Sequence, residues 1–243
     1  MEPEVEMERR LVCPNLDPGA LIGPVRSLDH RVLARVAERY SAAPSTFGLE
    51  LRVAYAIEAK GNQDERLRRP YFRPAQEPII WSWWEKLQQS PFDPSDMLEL
   101  ASLLGGKMVG YRSREMVSLH GLGKHHLFYE TPTNSKMWIT DAAAADLMPG
   151  DPARKALYRF ARIVAAHPLT DANGRLARAG LQAGLARGGL ITTPCLALAP
   201  VFALHAAEIR TALAGLCTSG DWDPYFEQMG ERLTDAAQWV ARA

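Results

Sequence analysis

HPLTDANGRLAR, His167 to Arg178, is the stretch on which the reading of this chain turns. Upstream, Leu157, Phe160, Ile163 and Val164 repeat at helical spacing, so a helix is expected to end at His167-Pro168. Downstream, a second helix starts near Gly174 and runs to about Gly188-Gly189. PLTDAN is therefore a short loop between two helices. The first N–H groups of the second helix, around Asn173, Gly174 and Arg175, have no acceptor within that helix and form an anion site. Gly174 lets the backbone approach a phosphate without a Cβ in the way. Arg175 and Arg178, three residues apart, lie on adjacent parts of one face. They would repel each other unless an anion sat between them, and a polyphosphate suits two guanidinium forks. Asp171 beside these cations suits Mg2+, which favours one or two carboxylates together with phosphate oxygens and water. His167, with an ordinary pKa of about 6.5, suits proton abstraction near neutral pH.

The rest of the chain sets bounds. Its 243 residues suffice for one sizeable domain, or one with a small appendage. Lys+Arg and Asp+Glu both number 28, so no global field recruits nucleic acid, and charge that binds phosphate must be local. Arg9-Arg10 and the LRR at 67–69 are short and read as solvated surface. Cys13, Cys195 and Cys217 are odd in number and form no CxxC pair, which argues against a disulfide framework or structural zinc. The acidic start, MEPEVEMERRLVCP, has no secretory h-region, and no stretch approaches the length of a membrane span. The expectation is a soluble, cytoplasmic protein, with export as an effector without a cleaved signal left open.

Residues 1–29 read as an irregular arm. Helices are expected around 32–40 and 46–60, the latter with Leu49, Val53, Ala56 and Ile57 on one face and Gly61-Asn62 at its end. A charged linker over 63–78 precedes a helix starting at WSWWEKLQQ, whose tryptophans read as core. Further helices are expected over Pro94–Leu104, at DAAAADLM, at about 202–216 and at about 222–242. Between 107 and 130, β-branched and aromatic residues around a GLG turn predict one β-hairpin. His120, Lys124, His125 and His126 read as its solvated tip. The fold class is mainly α with one small hairpin.

The motif resembles the signature of the Fic (Fido) family, HxFx(D/E)(G/A)N(G/K)RxxR. His167, Asp171, Asn173, Gly174, Arg175 and Arg178 fill its polar positions, and Ala172 is a permitted small residue. Leu169 departs, standing where the family usually has Phe, at what looks like a hydrophobic anchor of the loop. The resemblance implies a Fic-type helical bundle over 93–235, preceded by an N-terminal helical region over 1–92 and followed by the end of a C-terminal helix at 236–243. It also implies transfer of AMP from ATP to a Ser, Thr or Tyr hydroxyl of a target protein. His167 would deprotonate the hydroxyl and Asp171 would hold Mg2+. Asn173 and Gly174 would cradle the phosphates, Arg175 would face the leaving pyrophosphate, and Arg178 would grip the γ-phosphate. The hairpin at about 111–130 would be a flap that adds the target segment as a strand.

The family has a second motif, an inhibitory helix with (S/T)xxxE(G/N), whose glutamate pairs with the second arginine of the signature. AYAIEAKGNQ, Ala54 to Gln63, resembles it with Glu58 at the glutamate position, although Ala54 and Ala59 depart. A competing register, Thr46 to Glu50, keeps Thr and Glu but lacks the following Gly or Asn. Other readings stay open: another donor (UMP, a phosphoryl group, phosphocholine), removal of AMP, or a nucleotide-binding module without turnover. The intact His167 argues against the last of these. No nucleic acid or membrane partner is expected, and assembly with a second copy stays open.

Overall fold

Helix caps written into the sequence set the starts of four helices. In the computed structural model, which describes residues 9–15, 18–41, 46–62, 77–118, 127–129 and 131–243, the fold is mainly α. α1 (His30–Arg39) is capped by Asp29, whose carboxylate accepts the Arg31 and Val32 N–H groups at 2.9 and 3.1 Å. α2 (Thr46–Glu58) and α3 (Glu77–Gln89) follow. α4 (Pro94–Gly105) opens on Asp93 with proline in its first turn and closes on Gly106 at φ 68°. α5 (Ser135–Ala144) leads through a 3-10 turn to α6 (Pro152–Ala166), capped by Asp151. α7 (Asn173–Arg187), α8 (Leu198–Leu204), α9 (Ala206–Ser219) and α10 (Trp222–Arg242) complete the described helices.

α6 and α7 form the centre. Leu157, Phe160 and Ile163 of α6 are buried as the periodicity predicts, and Leu176, Ala177 and Leu181 of α7 are buried with them. The two backbones approach closely because α7 carries glycine where α6 comes nearest. A Cβ on Gly184 would lie 2.9 Å from that of Ala156 and 2.8 Å from Nη1 of Arg159. Arg159 is fully buried and pairs with Asp146, which also accepts Arg187. Phe92 lies against both guanidinium groups, 4.0 and 5.0 Å from its ring centre. Burial lowers the Arg159 pKa to about 9 and that of Arg187 to about 10, so the shared carboxylate offsets a desolvation cost.

Several sequence expectations change. The arm over 1–29 is not irregular throughout. Cys13, Leu21, Val25 and Leu28 belong to the main core, and Glu227 of α10 accepts the N–H groups of Arg26 and Ser27 at 3.0 and 2.8 Å. α3 begins at Glu77, inside the expected linker, because Pro78 is tolerated in a first turn; residues 63–76 lie outside the described residues. α5 begins six residues before the expected DAAAADLM, since Trp138, Ile139 and Ala142 already make a buried face. The helix expected at 202–216 is two helices, α8 and α9, meeting at His205. Trp83 and Trp84 are buried, as a core reading requires.

Three short strands form one sheet in the order β1 (Arg9–Leu11), β3 (Leu127–Tyr129), β2 (Val117–Ser118). β2 and β3 are antiparallel, with Val117 opposite Phe128 and Ser118 opposite Leu127. The hairpin expected over 107–130 is seen only as this pairing; its GLG turn and His120, Lys124, His125 and His126 lie outside the described residues. β1 runs parallel to β3, with Leu11 opposite Tyr129. Among the described residues no helix is long and apolar enough to cross a membrane.

Candidate functional site

The loop between α6 and α7 is fixed at both ends by residues at positive φ, His167 at 47° and Ala172 at 61°. His167 closes α6, its N–H donating to the Ile163 carbonyl at 3.0 Å, and Pro168 prevents the helix from continuing. Leu169 is fully buried, which makes it the hydrophobic anchor that its position implies. Its N–H donates to Oδ1 of Asn173 at 2.9 Å, and its carbonyl accepts from Nδ2 of Asn173 at 2.8 Å. The Asn173 side chain is therefore spent on holding the loop closed. Segment 107–112 runs alongside. Gly110 accepts the Thr170 N–H at 3.0 Å, Tyr111 bridges to Leu169, and Arg112 donates its N–H to Pro168 at 2.8 Å.

Arg112 was not singled out by the sequence. Its side chain is almost wholly buried and reaches three carbonyls. Nε donates to His167 at 2.9 Å, Nη2 to Ala166 at 3.2 Å and Nη1 to Arg114 at 2.9 Å. Two of these are last-turn acceptors of α6, which no helical N–H can satisfy. Tyr129 of β3 was missed as well; its ring stacks on His167 with centroids 4.3 Å apart. Burial, then the charge of Arg112, lower the His167 pKa from 6.5 to about 4, with Asp171 acting in the other direction. The imidazole is neutral at physiological pH and can accept a proton.

Asp171 lies between two cations. Oδ2 pairs with Nζ of Lys107 at 2.8 Å, and Oδ1 with Nη2 of Arg175 at 3.1 Å while also accepting the Ala172 N–H at 2.6 Å. The Lys107 ammonium, foremost, holds the carboxyl below the usual aspartate range. Lys107 carried no sequence signal beyond following Gly105-Gly106. Arg175 also donates to the Leu104 carbonyl at the end of α4. Arg178 folds back over the start of α7, its Nη1 3.3 Å from where a Cβ on Gly174 would stand. The loop thus gathers His167, Asp171, Asn173, Gly174, Arg175 and Arg178 around the first turn of α7, whose N-cap residue Ala172 supplies no side-chain cap.

The two candidate inhibitory glutamates have different surroundings. Glu50 is buried, and its Oε1 accepts the Ala199 N–H at the start of α8 at 3.2 Å. Glu58 is half-buried and is the last residue of α2.

The donor set also bears on Mg2+. Asp171 is ionised and about one-third exposed, two residues before the start of α7. No group of three or more His, Cys, Asp or Glu able to hold a metal occurs among the described residues. One carboxylate beside a helix start fits an ion that takes its other oxygens from substrate and water.

No protein-family model matches the sequence, and no curated protein aligns with it. Solved structures do. A Fic family protein from Desulfovibrio desulfuricans G20 superposes with a TM-score of 0.62 at 18% identity, covering 95% of this chain and 77% of that one. A Fic domain containing signaling protein from Bacteroides thetaiotaomicron VPI-5482 superposes with a TM-score of 0.55 at 16% identity, covering 89% of this chain and 91% of that one. At such identities the likeness shows the fold. The chain therefore has the Fic (Fido) fold, with the signature-like loop joining α6 to α7.

Proposed function

We propose that the chain is a Fic-type transferase, and specifically a protein adenylyltransferase that moves AMP from ATP to a hydroxyl side chain of a target protein. One observation carries the reading: a neutral, buried imidazole and a helix start with no side-chain cap from Ala172 share one loop, with an ionised aspartate and two arginines between and beside them. In the reaction the target hydroxyl oxygen attacks the α-phosphorus, its proton passes to His167, and pyrophosphate leaves. The N–H groups of Asn173, Gly174 and Arg175 bind phosphate oxygens, with Gly174 admitting them closely. Arg175 faces the pyrophosphate and Arg178 the γ-phosphate. Asp171 would hold Mg2+, which neutralises phosphate charge when bound; Lys107 would have to leave Oδ2. Its side chain is mostly exposed and able to do so. Positioning and charge stabilisation supply most of the rate in such phosphoryl chemistry.

The brake belongs to the same reading. Glu58 is the glutamate we place opposite Arg178, with Glu50, whose Oε1 accepts the Ala199 N–H at 3.2 Å, as its rival. An acid on the last residue of a helix is disfavoured by the helix dipole, so a cation outside α2 gives its placement a reason.

The test is intact mass after incubation with ATP and Mg2+, for wild type, Glu58→Gly and His167→Ala. An adduct of one AMP in the Glu58 variant and none in the His167 variant is expected. No adduct with ATP, but one with another nucleotide, would keep the transfer and change the donor. No adduct from any donor, on itself or on added proteins, would sink the reading.

A further inference from the structure

We propose that residues 9–11 are an internal occupant of the target site: the chain's own N-terminal strand lies along the β3 edge that a target segment must use. The proposal rests on the transferase reading. A segment that delivers a hydroxyl to His167 by strand addition has to pair with the strand nearest that histidine. That strand is β3, because Tyr129 stacks on the His167 ring. One edge of β3 is taken by β2, so a single edge remains, and β1 occupies it with Arg9, Arg10 and Leu11 opposite Leu127, Phe128 and Tyr129.

Two further observations make this more than a passing contact. The segment is moored just past the strand. Cys13 is buried, and its carbonyl accepts Nη1 of Arg162 at 2.9 Å. Arg162 is itself fixed between Trp138 and Tyr158, 4.6 and 5.2 Å from their ring centres, on the helix that ends at His167. The segment also offers nothing to modify. Residues 1–26 contain no serine, threonine or tyrosine, and the first hydroxyl is that of Ser27. A strand without an acceptor can hold the edge through main-chain bonds and remain unmodified. The competing partner is accordingly an extended segment recognised by its backbone, and the local concentration of the tethered strand sets how strongly that segment must bind.

The experiment uses full-length protein and a fluorescein-labelled peptide with the sequence of residues 5–15, VEMERRLVCPN, kept reduced. The variant is Arg10→Pro with Leu11→Pro. Consecutive N–H groups point to opposite sides of a strand, so one of the two prolines must remove a bond to β3. Fluorescence anisotropy is expected to show the peptide binding the variant at least about tenfold more tightly than wild type, as a vacated edge requires. Hydrogen exchange should show the Phe128 amide losing protection in the variant and regaining it with peptide, while the Tyr129 amide, which donates to Met116 on the β2 side at 3.1 Å, stays protected. Equal binding to both proteins, or unchanged protection, would overturn the proposal. The intact-mass assay separates the two readings. Peptide discrimination with no adduct from any nucleotide keeps the strand and sinks the transfer reading. An adduct without peptide discrimination does the reverse.

Discussion

At the scale of single residues, His167 and Arg112 act as a pair. Arg112 holds the histidine's carbonyl and adds positive charge beside a ring already disfavoured from ionising by burial. Titration of labelled histidine by NMR should place His167 near pH 4, well below the ordinary 6.5. Arg112→Met should raise that value and lower kcat by about 10- to 100-fold, since misplacing a reacting group by an ångström has that scale of effect. KM for ATP should change little, and Arg112→Lys should recover only part of the loss. The sign for stability follows from the same shift. The folded protein keeps His167 neutral while the unfolded chain takes up a proton below about pH 6.5. His167 therefore contributes its full stabilisation above that pH and loses it as pH falls from about 6.5 to about 4. Asp171, also shifted downward, adds to the loss only in the acid range of an aspartate. A melting temperature that did not fall between these limits, or fell equally in His167→Gln, would contradict the assignment.

Among the elements, α2 carries both glutamates that the sequence leaves in competition. Glu58→Gly should raise self-modification about 5- to 150-fold, the usual range for coupling between sites. Glu50→Gly should leave that rate near wild type and lower stability by about 1–3 kcal/mol in urea, because it strands the buried Ala199 N–H. The reverse pattern would put the brake in the Thr46–Glu50 register. The elements also show what could be read in advance. The α6–loop–α7 arrangement was legible because capping, apolar spacing and the polar signature all lie within one short stretch. Arg112, Lys107 and Tyr129 were not, because they reach the loop from segments distant in sequence and carry no pattern of their own. The pairing of β1 with β3 was hidden for a related reason. A three-residue strand that joins another more than a hundred residues away leaves no periodicity to detect.

For the molecule as a whole, the buried Arg159–Asp146–Arg187 group ties α6, α7 and the turn after α5 into one unit. Replacing Asp146 by alanine would leave two guanidinium groups in the core without their shared carboxylate. A loss of about 3–5 kcal/mol in denaturant midpoint analysis is expected, the range for breaking a buried pair from one side. A loss below about 1 kcal/mol would mean that the carbonyls around Arg159 and Arg187 already suffice.

His167 sits at φ 47°, a backbone geometry that a side chain with a Cβ adopts at a cost and glycine adopts readily. The loop is therefore not at its conformational optimum, and the strain falls on the residue assigned to proton transfer. Compared with each other, His167→Gly should be more stable than His167→Ala by about 1 kcal/mol, although both lack the imidazole and its stack on Tyr129. If calorimetry shows that difference, the position favours glycine on folding grounds, and histidine there sets chemistry against stability at a single Cα.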